Sequence, residues 1–322
     1  MERVGKPACS LTLRGGNVKK NLTYQLFNLG RSELLGKMLT TGAVAVAIIT
    51  TVTIVFFIAV KGISTFSSSG VSVFDFLFST KWLPDRPLEE GGPQVGVLAF
   101  ILGSVIVSML AVLLSAPLSV ACAVFIQEIA PYWGQRILQP AIEILAGIPS
   151  VVYGYIGLSL LVPFIRNYIG GLGFSVLAGI LVLSVMILPT IVSISTDTLR
   201  ALPREWKEAA YALGSTRWQA IRLVLIPAAR SGLITGIVLG LARAFGEALA
   251  VQMVIGNTRK IPTSILDPVI TLTSAITMDM GNTLSGSLWN NALWSMGLLL
   301  LLMSCFFILI VRLVVRKGGI TP

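Results

Sequence analysis

Arg243 and Glu247 are two ionisable residues in the segment RAFGEALAV, within a stretch that is otherwise apolar or small. If this stretch is one helix, side chains four residues apart share a face. An arginine stays ionised and offers a fork of donors that fits phosphate or carboxylate oxygens. Two interpretations stay open. The pair forms a salt bridge that serves packing, or Arg243 faces a path for an anion and Glu247 holds the arginine when that path is empty.

The composition indicates a membrane protein without enzymatic machinery of its own. Of 322 residues, 55% are hydrophobic and 12% are charged, whereas a soluble domain has about 25% charged residues. Mean hydropathy is +0.87. The chain has no histidine, no GxxxxGK[ST] loop, and three widely spaced cysteines. We therefore expect no catalytic residue, no cofactor and no metal site, and an all-α integral membrane fold.

Six apolar stretches are long enough to cross a bilayer, which takes roughly 20 residues. We predict spans at 38–60, 97–126, 138–165, 174–195, 228–255 and 291–315. Lysine and arginine concentrate before the first span, between the fourth and fifth, and after the sixth, so both termini are placed in the cytoplasm. This topology accounts for the net charge of +10 without nucleic acid as a partner.

The terminal and connecting segments follow from these spans. Residues 1–37 are predicted to be a partly disordered cytoplasmic tail, 61–96 an extracytoplasmic loop, and 316–322 a C-terminal tail. The first span is not a cleaved signal peptide, since too many residues precede it. The protein is therefore expected to be a multi-pass protein whose partners include the lipid bilayer.

Three glycines extend the face that carries the charged pair. If the fifth span is one helix, then Gly232, Gly236, Gly240, Arg243 and Glu247 share a narrow strip. A row of small residues allows either a close approach of a second helix or a clear passage. Both uses remain open from the sequence.

The third span contains its own interruption. The segment Gly147-Ile-Pro149-Ser150 predicts a broken or kinked turn. Such a turn either lines a path, with Ser150 and Tyr153 as candidate lining groups, or only fits a packed bend. A tyrosine in a helix bundle also serves packing, with one hydrogen bond for its hydroxyl.

The cytoplasmic segment 196–227 is predicted to form two short helices joined by a tight turn. Gly214 ends the first helix, Ser215 or Thr216 caps the second, and Pro227 ends it before the next span. The pair could lie on the bilayer surface as a connector, dock into a soluble partner, or read DNA as a helix-turn-helix. The spans at both ends argue against the last.

This segment resembles the EAA loop of ABC-importer permeases. A Glu-Ala-Ala group is followed after three residues by glycine, and after nine more by Val-x-Ile-Pro, where the family has Ile-x-Leu-Pro. The resemblance implies contact with a cytoplasmic ATPase. The residues that carry it are Glu208, Ala209, Ala210, Gly214 and Pro227.

Longer stretches resemble the phosphate-importer permeases called PstC, of the MetI-like permease family. They are LLSAPLSVACAVFIQEIAP, ILAGIPSVVYGYIGL, RAFGEALAV and IGNTRKIPTSILDPVITLT. The resemblance implies a MetI-like core over 97–315, with 196–227 as its coupling loop. It implies a PstA-like second permease, two PstB-like ATPase subunits and a PstS-like extracytoplasmic phosphate-binding protein. It also implies that Arg243 and Glu247 belong to the translocation pathway.

The expected function is that of a transmembrane permease subunit of an ATP-driven importer of inorganic phosphate in the bacterial plasma membrane. An importer of another oxyanion, such as molybdate, sulfate or phosphonate, stays open because an arginine fork serves any of them. A membrane sensor or scaffold that conducts nothing is the alternative from a different class, and a self-sufficient secondary carrier is a third.

Overall fold

The computed structural model describes residues 15–68, 70–87, 89 and 91–317. The chain divides into two compact units, Met1–Phe57 and Ile58–Pro322. The described part of the first unit consists of helix, and the second unit holds the end of that helix and all the other elements.

Fourteen α-helices follow one another along the described residues. The first seven are α1 Gly15–Ser68, α2 Val73–Phe78, α3 Leu98–Val124, α4 Pro131–Trp133, α5 Gln139–Gly147, α6 Ser150–Ile156 and α7 Val162–Phe164. The others are α8 Val176–Arg200, α9 Arg204–Ala212, α10 Arg217–Ala220, α11 Ile226–Gly246, α12 Leu249–Val254, α13 Leu272–Asp279 and α14 Leu288–Lys317. Wider π-helical turns extend several of them, at Phe125–Ile129, Gly134–Leu138, Gly157–Leu161, Ile165–Ile169 and Ile221–Leu225. A 3₁₀ turn, Met280–Asn282, follows α13. Strands β1, Trp82–Leu83, and β2, Gln94–Val95, pair antiparallel.

The predicted spans correspond to helices of the structure. Five helical stretches are long and apolar enough to cross a membrane, at Gly36–Ser67, Leu98–Ile129, Val176–Arg200, Arg217–Gly246 and Leu288–Leu313. The predicted third span is instead a bent pair, Pro131–Gly147 and Ser150–Ile169, which meet at 96°. The expected interruption is therefore a full break, because proline at 149 cannot donate a helical hydrogen bond and its ring clashes with the preceding turn.

Part of the predicted N-terminal tail is helical. Its residues 1–14 lie outside the described residues, whereas the rest of the tail belongs to α1, which runs from Gly15 to Ser68. No proline occurs in this stretch, so no residue there blocks the helix from extending back from the apolar part. At the other terminus α14 continues to Lys317, and 318–322 lie outside the described residues.

The second unit has three clusters of buried apolar side chains. The largest joins α3, α6, α8, α11 and α12 around residues such as Leu183 and Ile187. A second joins the β-hairpin, α13 and α14 around Phe100 and Leu293. The third lies at the predicted cytoplasmic end, where Ile126 packs with the turn after α10. Helices α3, α8 and α11 thus form the centre of the bundle.

The glycine row of α11 packs against α8. A Cβ atom on Gly232 would lie 2.2 Å from Thr198 Cγ2, and one on Gly240 would lie 2.7 Å from Ile191 Cδ1. Real Cβ atoms do not approach so closely, so the two helix backbones can meet only because these residues are glycine. Of the two uses that the sequence left open, the structure shows the close approach.

We expect Gly232→Ala to lower the thermal unfolding midpoint of the purified protein, because the added methyl group must push α11 away from the stiff side chain of Thr198. Overpacking of this kind costs about 1–3 kcal/mol. The matched control is Gly297→Ala in α14, where a Cβ meets no atom within 4 Å. An equal midpoint for the two variants would contradict the packing described here.

Candidate functional site

The charged pair lies at a break between two helices. α11 ends at Gly246, Glu247 has an extended backbone with φ −77° and ψ 128°, and α12 begins at Leu249. The prediction of one continuous helix over 228–255 is therefore wrong, and Glu247 does not share the glycine strip. The Glu247 side chain caps the new helix instead, since its Oε1 accepts a hydrogen bond of 3.0 Å from the backbone N–H of Ala250.

A neighbouring segment satisfies the backbone exposed by this break. The hydroxyl of Thr273 donates to the Glu247 carbonyl oxygen at 2.8 Å. The start of α13 is itself attached to α3, because the backbone N–H of Leu272 donates to Ser104 Oγ, also at 2.8 Å. Backbone groups freed inside a helix bundle need such partners because no water is there to bind them. The start of α13 therefore holds the break open in a defined shape.

Arg243 reaches the neighbouring helix rather than the glutamate. Its side chain is half-buried, and NH1 donates a hydrogen bond of 2.9 Å to Thr190 Oγ1 of α8. Among the described residues, no carboxylate lies within ion-pairing distance of its guanidinium. The salt bridge with Glu247, which the first interpretation required, is therefore not formed. One of five guanidinium N–H groups is used, and the Arg243 side chain makes no other hydrogen bond to the described residues.

A small polar cavity lies beside Glu247. Its volume is about 10 Å³, which suits a single water molecule. The lining is rich in hydroxyl groups contributed by α3 and by the start of α13. The polar residues that line it are Ser104, Ser108, Glu247, Thr271 and Thr273.

Ser150 and Tyr153 lie on the second arm of the bent pair. The Tyr153 hydroxyl donates to the carbonyl oxygen of Leu145 at 2.7 Å and so joins the two arms across the bend. Ser150 is half-buried at the start of α6, and its hydroxyl has no hydrogen bond to the described residues. α6 packs against α12, since a Cβ on Gly154 would lie 2.9 Å from Ala250 Cα. The bend is thereby brought against the helix that Glu247 caps.

The cytoplasmic segment forms the predicted pair of helices. α9 begins after Pro203, Gly214 has the positive φ of +78° that favours glycine, and Thr216 caps α10 in a reciprocal capping box with Gln219. Of the EAA-like residues, Ala210 is buried, whereas the other four are exposed. These exposed residues are Glu208, Ala209, Gly214 and Pro227.

The sequence predicted that Pro227 ends the second helix, and this prediction is wrong. α10, the turn Ile221–Leu225 and α11 form one uninterrupted helical stretch that carries the chain into the membrane. The wide turn has i to i+5 hydrogen bonds, such as Ile226 N–H to the Ile221 carbonyl. Proline is tolerated at the start of the regular helix that follows, where its missing N–H costs little.

Sequence reasoning missed the contact that holds this segment in place. The carboxylate of Glu128, 7% exposed, pairs with Lys207 of α9. Arg217 of α10 donates to the carbonyl oxygens of Glu128 and Ile129. The partners are 79 and 89 residues apart in sequence, so no local pattern relates them. The only local signal is a lone carboxylate just past the end of an apolar span.

We expect Glu247→Ala to destabilise the protein by about 1 kcal/mol, the typical value of a lost helix cap. Glu247→Gln should stay close to wild type because the amide oxygen can accept the same hydrogen bond from Ala250. Thermal unfolding of both variants in detergent measures the difference. Equal stability of the alanine and glutamine variants would show that the cap contributes nothing.

Comparisons with known proteins agree with this architecture. Residues 117–318 match the family described as binding-protein-dependent transport system inner membrane component. The "Probable ABC transporter permease protein YqgH" of Bacillus subtilis is 53% identical over 92% of this chain and 95% of its own length. The "Phosphate transport system permease protein PstC" of Xylella fastidiosa is 35% identical over 90% of this chain and 93% of its own length.

A solved structure shows the same fold. A chain of the MetNI methionine ABC transporter matches with a TM-score of 0.54 and 21% identity, over 69% of this chain and 95% of its own. The predicted all-α membrane fold of the MetI-like type and the resemblance to PstC permeases are thereby confirmed. The chain belongs to the family of binding-protein-dependent transport system inner membrane components, as a multi-pass ABC-transporter permease of the bacterial plasma membrane.

Proposed function

We propose that this permease carries inorganic phosphate inward and that Arg243 binds the anion on its way. The observation that carries the proposal is that a half-buried arginine inside an apolar helix has one neutral hydroxyl, that of Thr190, as its partner. An ionised side chain at the bilayer centre costs roughly 2.5–3.5 kcal/mol on insertion scales. The free part of the guanidinium fork fits two oxygens of one phosphate.

Glu247 is proposed to limit how tightly the anion is held. Its carboxylate lines the polar cavity and caps α12, so its negative charge stays at the break. A conduit must release what it binds, and a fixed negative charge near the arginine raises the energy of a bound anion. Ser150, with its free hydroxyl, is proposed as a lining group of the same pathway. Tyr153 is proposed to act through the bend that its hydroxyl stabilises.

The partners proposed for this chain are those of a complete importer. The exposed EAA-like residues, Glu208 among them, are the surface proposed to meet the ATPases. These would be two PstB-like subunits, since the chain has no nucleotide-binding loop. A PstA-like permease would complete the pathway, and a PstS-like protein would deliver phosphate. ATP hydrolysis on the partners would then expose the pathway alternately to each side.

Transport of another oxyanion is the second candidate. The Bacillus subtilis relative, at 53% identity, carries a name that specifies no substrate. The relatives named for phosphate are less similar, at 35% identity for the Xylella fastidiosa protein. An arginine fork binds molybdate, sulfate or phosphonate by the same geometry.

The test is ATP-dependent uptake of radiolabelled phosphate by vesicles that contain this chain with its permease, ATPase and binding-protein partners. We expect Arg243→Gln to lower uptake on the order of 100-fold, since loss of one partner of a buried charged contact costs about 2–5 kcal/mol. Arg230→Gln is the matched control, because Arg230 is half-buried on the same helix near its cytoplasmic end.

Unchanged phosphate uptake by the Arg243→Gln variant would show that this arginine does not bind the transported anion. Competition by sulfate or molybdate, added together with the binding protein, separates phosphate from the other oxyanions. A wild-type complex that hydrolyses ATP yet moves none of these ions would favour the sensor or scaffold alternative.

A further inference from the structure

Glu128 is a buried carboxylate that the proposed pathway does not use. It lies in the π-helical turn Phe125–Ile129, at the cytoplasmic end of α3, and is 7% exposed. A carboxylate is costly to bury unless it is paired. Its partner is the ammonium group of Lys207, on the first helix of the coupling loop.

The second helix of the coupling loop is attached to the same turn. Arg217 donates to the carbonyl oxygens of Glu128 and Ile129, the latter at 3.0 Å. These are carbonyl groups at a helix C-terminus, where a cation is favoured both by hydrogen bonding and by the helix dipole. We call this set of contacts, made by Glu128 and Ile129 with Lys207 and Arg217, the clasp.

The clasp is the polar attachment between α3 and the coupling loop. Among the described residues, every hydrogen bond that α9 or α10 makes to α3 or its terminal turn passes through Glu128 or Ile129. α9 buries only Ala210. Apolar packing also joins the end of α3 to this region, because Ile126 shares a buried cluster with Ile221 and Leu225.

α11 and α3 are connected to the loop in different ways. α11 continues from α10 without a break, so a displacement of the loop reaches Arg243 through the helix itself. α3 carries Ser104 and Ser108, which line the cavity beside Glu247, but it is not continuous with the loop, and its polar attachment to the loop is the clasp. Rigid helices transmit displacement along their length when their ends are held.

We propose that Glu128 is a positioning residue that couples ATP hydrolysis to transport. Through the clasp it makes α3 move together with the coupling loop, so that both walls of the site, α11 with Arg243 and α3 with Ser104 and Ser108, change position in the same step. The inference rests on the proposed function, because coupling is measured with the ion and the partners named there. Without the clasp, the loop still docks and ATP is still hydrolysed, but α3 no longer follows.

The experiment compares Glu128→Gln, Lys207→Met and the double variant in the reconstituted full complex. Two quantities are measured: phosphate taken up per ATP hydrolysed, and stimulation of ATP hydrolysis by the phosphate-loaded binding protein. We expect each single variant to lower both by about fivefold or more, a typical size for coupling between sites. Basal ATP hydrolysis should change by less than about twofold. The double variant should lose no more than the worse single variant, because both remove one interaction.

Glu143→Gln is the matched control, since Glu143 is an exposed carboxylate of α5, outside the coupling loop, whose side chain accepts a hydrogen bond from Gln139 and can still accept it as an amide. It should leave both quantities unchanged. The proposal is overturned if the single variants keep wild-type coupling, if their losses add in the double variant, or if basal hydrolysis falls in parallel with uptake. Lys207 is 34% exposed in its side chain, so its variant should assemble even where Glu128→Gln does not.

The measurement also separates this proposal from the phosphate assignment. A wild-type complex that is stimulated by its loaded binding protein but takes up no phosphate contradicts the proposed substrate. The stimulation ratio of the variants then still tests the clasp.

Discussion

The absence of water inside a bilayer is the constraint on which this structure depends. Every backbone group within the spans needs a partner from the protein. Where the chain leaves its helix at Glu247, the Glu247 carbonyl oxygen accepts from Thr273 and the Glu247 carboxylate accepts from the backbone N–H of Ala250. The start of α13, which carries Thr273, is attached in turn to α3 through the bond from Leu272 to Ser104. These hydrogen bonds give the break a defined conformation, and they bring α3, α12 and α13 together close to the end of α11 that carries Arg243.

The glycines of α11 follow from the same constraint. Lipid provides no hydrophobic drive for helices to associate, so close packing has to supply the attraction. Gly232 and Gly240 let α11 lie against α8, and this proximity places Arg243 within reach of Thr190. The glycine strip therefore positions the arginine without forming the passage itself. A pathway, if it runs beside Arg243, must use the side of the guanidinium that Thr190 leaves unbound.

Much of the fold is predictable from the sequence, because apolar length and flanking charge determine which segments span a membrane. The spans, the break near Pro149 and the helix-turn-helix at Gly214 all emerge from local composition. What fails is the assumption that an apolar, proline-free stretch stays helical through Glu247. That break is stabilised by Thr273, which comes 26 residues later, so the local pattern contains no sign of it. The prediction that Pro227 ends a helix fails because the wide turn Ile221–Leu225 precedes the proline, which then lies at the start of α11, where its missing N–H costs little.

The residues predicted for the site have partners that differ from those that their spacing suggested. The sequence related Arg243 to Glu247 through the helical period, whereas the structure gives each a separate partner. Because the two charges do not neutralise each other, the arginine keeps a field that can attract an anion and the glutamate keeps a charge that can oppose its retention. An internal salt bridge would cancel both effects. The helix break therefore separates Arg243 from Glu247, so that both side chains can act on a bound anion instead of on each other. A displacement of the coupling loop that shifts α11 relative to α3 would change how strongly the arginine attracts the anion relative to how strongly the glutamate repels it.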